Sequence, residues 1–316
     1  MDSYTQSSLV AHAECPQKYH WSYEYNGNGI TPILPAHYLV SGDVGHRGVA
    51  MLYRSLSMNA VSNMVAKVFG EALAKGRHVS PDTIQQFRTQ QEVIRAALYG
   101  YQRRYIKEIK GRTVVKIIGN EVPYKWQLET KRGTYEMTGV IDVHAENRRK
   151  RRAYIFETKF LSQISRTFQE DVEFSPQTDH YLIGAFESFM RSGWELRVIV
   201  NYIRKSGLRL KRGEGYRQFL ERIREDYLQR PEHYFHRRIV RKTPGSILEA
   251  KRRMIAQISM LQYQKRTNYW YKNGRACNAK GRCWFFDLCN YGDRPGVMAN
   301  FRNKTSRHEE IPETEG

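Results

Sequence analysis

The stretch YIFETKF, residues 154–160, combines the pattern of a buried strand with two charged side chains. Its aromatic and β-branched residues favour an extended conformation. Residues two apart on a strand share a face, so Glu157 and Lys159 should lie together. Tyr154, Phe156 and Phe160 should lie on the opposite face, toward the core. Burying two charges costs free energy unless they have partners, so this strand is predicted to carry a functional site.

The neighbouring stretches predict an antiparallel meander around this strand. Apolar and polar residues alternate through 113–130, 133–146 and 151–161, with turn sequences between them. Asp142 lies near the end of the middle strand, so a hairpin can bring it beside Glu157. Two carboxylates and an ammonium group predict a site for a hard divalent cation such as Mg²⁺ or Mn²⁺. The alternative is an ordinary salt bridge across a solvated sheet face.

Helical patterns surround this meander and complete an α+β chain. Apolar residues recur at helical spacing through 5–25, 44–76, 81–109, 176–191, 213–229 and 245–267. Two further strands are predicted at 194–205 and 234–241, a loop at 26–32 and a polar tail at 305–316. The expected fold is a central mixed, largely antiparallel sheet that is flanked by helices.

The composition indicates a globular protein that attracts polyanions. The chain has 316 residues, and 52 Lys and Arg against 32 Asp and Glu give a net charge of +20. This charge predicts nucleic-acid binding, although it can also serve solubility alone. We find no membrane-spanning run, secretory leader or phosphate-binding loop. We therefore expect a cytoplasmic protein of a bacterial or phage-infected cell that is neither secreted nor membrane-bound and uses no nucleotide triphosphate.

Further motifs occur in a fixed order around the candidate site. GDVGHRG, 42–48, carries His46, and QTDHY, 177–181, carries Gln177 and Tyr181 four residues apart on one helix face. Asp142 is separated from Glu157-x-Lys by 14 residues, which resembles the PD-(D/E)XK nuclease superfamily. Together with the opening SSLVAHAECPQKYHW, 7–21, the motifs resemble its RecB-type branch, which includes the AddB nuclease domain and the CRISPR adaptation nucleases.

The resemblance implies an α/β/α restriction-endonuclease-like core and a specific set of site residues. It assigns Mg²⁺ or Mn²⁺ binding to His46, Asp142, Glu157 and the backbone carbonyl of Thr158. It implies that Lys159 steadies the attacking water or the developing charge, and that Gln177 and Tyr181 contact the phosphate or order Lys159. Glu121 matches an auxiliary glutamate of the branch. Taken singly, such residues also have ordinary structural explanations, such as a helix cap or a core tyrosine.

Four cysteines form a second candidate metal site: Cys15, Cys277, Cys283 and Cys289. Four thiolates can hold a [4Fe–4S] cluster or a Zn²⁺ ion. The resemblance implies an iron–sulfur cluster that ties the two ends of the chain together, although many members have a shorter gap after the residue that corresponds to Cys277. Zinc remains an alternative, as do four unrelated buried thiols.

A run of basic residues joins the two strands of the candidate site: Arg148, Arg149, Lys150, Arg151 and Arg152. A solvated turn and a phosphate-binding turn explain this run equally well.

We expect one RecB-like nuclease domain over residues 1–302, followed by a disordered tail over 303–316. Its parts are a helical N-terminal part (1–110), a catalytic core (111–242) and a C-terminal helix with the cysteine segment (243–302). The predicted activity is metal-dependent DNA hydrolysis, and the resemblance implies exonucleolytic cleavage from DNA ends, alone or with a helicase or recombinase in trans. The alternatives are an endonuclease of the same fold and a non-catalytic nucleic-acid-binding scaffold with a structural metal.

Overall fold

The computed structural model describes residues 2–34, 37–75, 79–165, 170, 172, 175–189, 193–279 and 282–309. Its strands are β1 (Ser3–Thr5), β2 (Ile30–Pro32), β3 (Lys116–Thr130), β4 (Gly133–Asn147), β5 (Arg152–Leu161), β6 (Glu195–Arg204), β7 (Phe235–Val240) and β8 (Phe301–Asn303). Its helices are α1 (Gln6–Glu14), α2 (Pro16–Tyr19), α3 (His37–Tyr53), α4 (Met58–Ala74), α5 (Pro81–Arg104), α6 (Ile106–Ile109), α7 (Pro176–Phe189), α8 (Tyr216–Gln229), α9 (Pro231–Tyr234), α10 (Pro244–Thr267), α11 (Phe286–Tyr291) and α12 (Pro295–Met298).

The long strand β4 organises a mixed sheet that has six strands within the described residues. β4 pairs antiparallel with β3 over nearly its whole length. Its other edge is shared, because β1 pairs parallel with its first half and β5 antiparallel with its second half. β6 then adds parallel to β5, and β7 adds antiparallel to β6. The predicted central mixed sheet is confirmed, and β1 and the parallel β5–β6 pair extend the predicted meander.

Helices cover both faces of this sheet. On one face, here called the α3 face, the buried cluster includes Leu52, Phe69, Leu98, Phe156 and Phe219. On the other, the α7 face, it includes Leu9, Met137, Ile155, Leu182 and Leu261. Each of these side chains contributes about 2 kcal/mol when it is fully buried, so both faces hold the sheet in place. The α+β fold class with helices flanking the sheet is therefore confirmed.

The side chains of β5 alternate between the two faces of the sheet, as its sequence pattern predicts. Tyr154 and Phe156 belong to the cluster on the α3 face, and Phe160 packs against it. Ile155 belongs to the cluster on the α7 face. The same alternation directs Glu157 to the α7 side of the strand, where only 3% of its surface is exposed.

The alternation of β4 is interrupted at Asp142. Ile141 packs on the α7 face, whereas Val143, two residues later, packs on the α3 face. The pairing of β4 with β5 runs from Asn147 to Val143 and ends there. On the neighbouring strand β3, Glu121 adopts a left-handed φ of 50°. β4 and β5 therefore separate at Asp142. This residue has no partner in the β4–β5 pairing, which ends at Val143.

Two helices that the sequence predicts as continuous are interrupted. The stretch 44–76 contains α3 and α4, which are separated because Ser55 adopts a left-handed φ of 60°. The stretch 81–109 breaks at Tyr105, between α5 and α6. Ser80 caps α5 through its hydroxyl, as the SPDT sequence predicts. Within the described residues, no helix has both the length and the apolar character needed to cross a membrane.

The two ends of the described chain pack against each other. β2 pairs antiparallel with β8, so the predicted loop over 26–32 contains a strand. The apolar residues of both strands close a small buried cluster around Phe285. Arg307 forms an ion pair with Glu24. Residues 303–309, which the sequence predicts as the start of a disordered tail, thus make specific contacts, and the residues after 309 lie outside the described part.

A buried histidine on α7 makes folding stability depend on pH. His180 Nδ1 and the Tyr124 hydroxyl share a hydrogen bond of 2.5 Å, and burial lowers the pKa of His180 to about 3. The unfolded chain protonates this imidazole near pH 6.5, so the unfolded state binds more protons between about pH 6.5 and 3. Stability therefore falls as the pH decreases through that window. From pH 7 to pH 5, we expect this residue to lower the free energy of unfolding by about 2 kcal/mol.

Urea unfolding of the parent and of His180→Gln at several pH values between about 5 and 7 measures this effect. The variant should show the shallower dependence of unfolding free energy on pH. Equal slopes for the two proteins would contradict the assignment, whatever the stability of the variant at neutral pH.

Candidate active site

Three side chains from three elements meet at the fork between β4 and β5. His46 of α3, Asp142 of β4 and Glu157 of β5 bring their ligand atoms within 4.8 Å of one another. His46 Nδ1 lies 2.9 Å from Asp142 Oδ2, and the Thr158 amide donates to the same oxygen at 3.0 Å. Among the His, Cys, Asp and Glu side chains that the structure describes, no other group of three or more meets this distance. The structure thus brings together the predicted histidine and both predicted carboxylates.

A second group connects β5 to α7. Lys159 Nζ lies 2.6 Å from Glu157 Oε1 and also donates to Gln177 Oε1. The Gln177 amide nitrogen donates to Glu157 Oε1 at 2.8 Å and to the Tyr181 hydroxyl at 3.1 Å. The four predicted residues of β5 and α7 therefore form one hydrogen-bonded group beside the three-ligand cluster. Lys159 keeps 27% of its side chain exposed, so its ammonium group borders solvent.

One carboxylate oxygen in this group has no hydrogen-bond partner. Glu157 Oε2 is buried and accepts no hydrogen bond in the structure. An unsatisfied buried carboxylate oxygen is costly, and a bound cation would remove that cost. Carboxylate oxygens suit Mg²⁺ and Mn²⁺. The residues present therefore fit a divalent ion at His46, Asp142 and Glu157. The carbonyl of Thr158 as a further ligand stays a prediction, because the structure shows a role only for its amide.

The carboxylates raise the proton affinity of the neighbouring histidine. Burial disfavours the charged imidazolium of His46, but the attraction of Asp142 and Glu157 outweighs burial and raises the pKa of His46 to about 9. Without a metal, the imidazolium therefore stabilises Asp142 by a charge-assisted hydrogen bond. Burial together with the charge of Glu157 raises the pKa of Tyr181 well above 10, so its hydroxyl stays protonated at neutral pH.

A glycine allows α3 to approach β5 closely enough to deliver the histidine. A Cβ atom at Gly45 would lie 2.4 Å from the ring of Phe160, closer than real Cβ contacts come. Any larger residue would push α3 away from the strand that carries Glu157. This explains why a glycine precedes His46 in the GDVGHRG motif. Gly45 is the point at which α3 contacts β5, and the next residue, His46, reaches the cluster.

Glu121 lies next to the cluster but outside it. The register of β3 and β4 places it opposite Asp142, between the pairs Asn120↔Val143 and Val122↔Ile141. Its carboxylate forms an ion pair with Arg54 at 2.6 Å and is not a member of the three-ligand group. Its left-handed φ of 50° is unfavourable for a residue with a side chain. Its auxiliary role remains a prediction.

The basic turn lies away from the cluster. Residues 148–152 follow Asn147, five positions along β4 from Asp142, which is roughly 16 Å at the rise of a strand. Arg152 forms an ion pair with Glu195 at 2.8 Å, while Arg148, Arg149, Lys150 and Arg151 are exposed. The turn is therefore solvated, and phosphate binding by it remains a prediction.

The four cysteines line one cavity of about 570 Å³ between the N-terminal helices and the C-terminal segment. All four thiols are free. Burial raises the pKa values of Cys283 and Cys289. The Cys15 sulfur accepts a hydrogen bond from the backbone amide of Asn273 at 3.3 Å. The structure thus brings together the two parts of the chain that carry the cysteines.

A buried ion-pair group that the sequence analysis missed holds α7 in place. Asp179, between Gln177 and Tyr181, is buried and pairs with Lys242 at 3.2 Å and with Arg253 of α10. Two cations on one buried carboxylate fix the rotation of α7 and therefore the position of Gln177. The QTDHY motif contains this aspartate, but its partners lie more than 60 residues later, and no local pattern indicates them.

A histidine, two carboxylates and a lysine at the fork of a mixed sheet define a site suited to metal-assisted hydrolysis of phosphodiesters. Comparison with models of protein families matches residues 3–289 to the PD-(D/E)XK nuclease superfamily. The chain belongs to this superfamily, and it is therefore a nuclease of the hydrolase class. Nucleases of this superfamily use divalent metals and bind DNA. Among curated proteins, none matches the sequence.

Proposed function

We propose that the protein is a Mg²⁺- or Mn²⁺-dependent deoxyribonuclease of the RecB-type branch that degrades DNA from its ends. The observation that carries this proposal is the convergence of His46, Asp142 and Glu157 within 4.8 Å, next to the ammonium group of Lys159. A salt bridge on a solvated sheet face would need neither the histidine nor the unpaired oxygen Glu157 Oε2, which is buried.

The ion would be held by His46, Asp142 and Glu157. When bound, a divalent ion lowers the pKa of water and offsets the negative charge of the phosphate. His46 must lose its proton to become a ligand, so ion binding releases a proton at neutral pH. The Thr158 amide orients Asp142 by donating a hydrogen bond to its Oδ2 at 3.0 Å.

Lys159 supplies the positive charge that faces the substrate. Its ammonium group borders solvent and is oriented by Glu157 and by the amide oxygen of Gln177. A fixed cation beside the scissile phosphate stabilises charge that develops on its oxygens. Gln177 holds Glu157 and Lys159 together, and the Tyr181 hydroxyl fixes the orientation of its amide. Gln177 and Tyr181 are thus positioning residues for the lysine.

Three further parts of the proposal concern the substrate, the mode of cleavage and the location. The net charge of +20 favours DNA as the substrate. The order of the RecB-type motifs favours cleavage from ends and a helicase or recombinase as a partner in trans. The motif order also favours a bacterial or phage-infected cytoplasm as the location.

For the four cysteines we propose a structural [4Fe–4S] cluster. Tetrahedral zinc with Zn–S bonds of about 2.3 Å needs sulfurs about 3.8 Å apart. No three of the four sulfurs lie within 4.8 Å of one another. They instead surround a cavity of about 570 Å³, which supports a larger inorganic group over a single ion.

The test compares linear and covalently closed circular DNA, each incubated with Mg²⁺ or Mn²⁺ and with or without chelator. We expect linear DNA to disappear while circular DNA persists, and chelator to stop the reaction. Loss of both substrates would instead indicate an endonuclease of the same fold. Persistence of both, with DNA binding retained, would contradict a nuclease and favour a non-catalytic binding scaffold.

A further inference from the structure

α10 from residue 250 onward and the segment after it form a basic surface. Residues 250–286 contain nine Lys and Arg residues and no Asp or Glu. Arg266, Lys272 and Arg275 of this region are exposed. Four of the nine form ion pairs with carboxylates: Lys251, Arg253, Lys265 and Arg282. The exposed cations attract the phosphate backbone of a nucleic acid.

Two exposed tyrosines occupy the centre of this surface. Tyr269 and Tyr271 expose 65% and 49% of their surface, whereas Trp270 between them turns inward. This alternation is typical of an extended chain, in which residues two apart point the same way. Two residues of extended chain span at most about 7 Å. The two rings, here called the tyrosine platform, therefore lie side by side on the protein surface.

The platform is anchored from below. The ring of Trp270 stacks on His20 at a centroid distance of 5.3 Å and packs at a tilt against Tyr19 at 5.7 Å. The backbone amide of Gln17 donates to the Tyr271 carbonyl at 3.2 Å. The side chain of Asn273 donates to the Glu14 carbonyl at 2.8 Å. The backbone of the segment is therefore already fixed before a ligand stacks on the tyrosines. Binding then costs little conformational entropy of the protein.

An exposed stripe of α10 leads from the active-site side of the protein to the platform. Arg252, Met260, Tyr263 and Arg266 are exposed at helical spacings that place them along one side of the helix. The first end of the stripe adjoins Arg253, which pairs with Asp179 beside Gln177. From Arg253 to Thr267, where α10 ends, the helix rises about 21 Å, and Tyr269 lies two residues further along the chain.

We propose that the tyrosine platform is a stacking site for bases of single-stranded nucleic acid, with Arg266 and Arg275 contacting its phosphates. The inference rests on the proposed function, because the platform would be a second contact for a DNA strand whose end is cleaved in the active site that contains Glu157. Aromatic rings beside cations bind single strands of any sequence, because every base presents a flat π-face. Duplex DNA hides these faces within its stack, so the platform selects single strands.

The experiment measures binding of a fluorescent oligodeoxynucleotide of roughly 20 nucleotides, longer than a single-strand site of about 4–16. The full-length protein is used with chelator, so that no cleavage occurs. Tyr269→Ala and Tyr271→Ala should each weaken affinity roughly tenfold, and the corresponding Phe variants should bind like the parent. Leu228→Ala, an exposed apolar residue of α8, is the matched control and should bind like the parent.

The charged contacts have a separate readout. Arg266→Gln and Arg275→Gln should each lower the slope of log affinity against log salt by about 0.7, the contribution of one single-strand phosphate contact. Unchanged affinity of the Tyr→Ala variants would overturn the proposal and leave the rings as a surface for a protein partner. An equal loss of affinity for a hairpin duplex would also overturn it.

Failure of the platform can be told apart from failure of the proposed function. Hydrolysis of bis(p-nitrophenyl) phosphate with Mn²⁺ requires the active site but not the platform. The Tyr269→Ala, Tyr271→Ala double variant should hydrolyse this small diester at the parent rate while binding the oligonucleotide weakly. Conversely, a parent protein that hydrolyses no phosphodiester would refute the nuclease activity, while the binding measurement with chelator would still decide the platform.

Discussion

Replacing Lys159 by methionine should lower the rate of DNA cleavage by at least about 10²–10³-fold, the usual cost of removing one group that stabilises developing charge. Methionine keeps the length and the apolar stem of lysine but not the ammonium group that lies 2.6 Å from Glu157. Affinity for DNA measured with chelator should change little, because the chain retains the rest of its +20 charge. Single-turnover cleavage with saturating Mn²⁺ measures the rate of the chemical step.

Two further variants complete this experiment. Lys125→Met removes an exposed lysine of the same sheet, which pairs with Glu136 at 2.7 Å, and should cleave at the parent rate. Glu157→Gln should lose cleavage and also bind Mn²⁺ more weakly, since it removes a ligand. A Lys159→Met protein that cuts DNA at the normal rate would refute the role assigned to this lysine.

Replacing Cys283 by serine should remove the proposed cluster and lower the melting temperature by about 10 °C. A structural metal group contributes several kcal/mol to folding. Each kcal/mol shifts the melting temperature of a 316-residue chain by about 1.5 °C, because the entropy of unfolding is about 2.1 cal/mol/K per residue. The loss should be large because the cavity joins the N-terminal helices to the segment that contains α11. Anaerobic purification, visible absorbance and metal analysis measure the cluster, and calorimetry measures stability.

Ala276→Ser is the matched control, because it adds a hydroxyl to the lining of the same cavity without removing a thiolate. It should retain both the visible absorbance and the parent melting temperature. Zinc in place of iron in the parent protein would refute the cluster and support the alternative site. The absence of both metals from anaerobically purified parent would identify the cysteines as ordinary thiols.

Local patterns were sufficient to predict the part of the fold that carries the site. The period-two alternation of 154–160 correctly assigned Tyr154 and Phe156 to one face of β5 and Glu157 to the other. The hairpin pattern placed Asp142 near Glu157, as the structure shows. These predictions succeed because successive side chains of a strand point to opposite faces of the sheet. A face that is buried therefore requires an apolar residue at every second position.

Features that depend on distant partners could not be predicted in this way. The three residues of β1 have no strand pattern of their own, and their conformation depends on pairing with β4. The fork at Asp142 arises from a change of facing that the regular alternation of 133–146 does not indicate. Asp179 was not singled out from the sequence, because Lys242 and Arg253 become its neighbours only in the folded chain.

The pairing of β2 with β8 has a consequence for how the protein is made. Ile30 leaves the ribosome about 270 residues before its partner Asn303. Such long-range pairing cannot guide the early folding of the nascent chain, because β2 has no partner strand until β8 has been synthesised. We therefore expect the N-terminal segment to become resistant to proteolysis only after β8 has left the ribosome. Ribosome-bound chains stalled before β8 should remain open to digestion at their N-terminal segment.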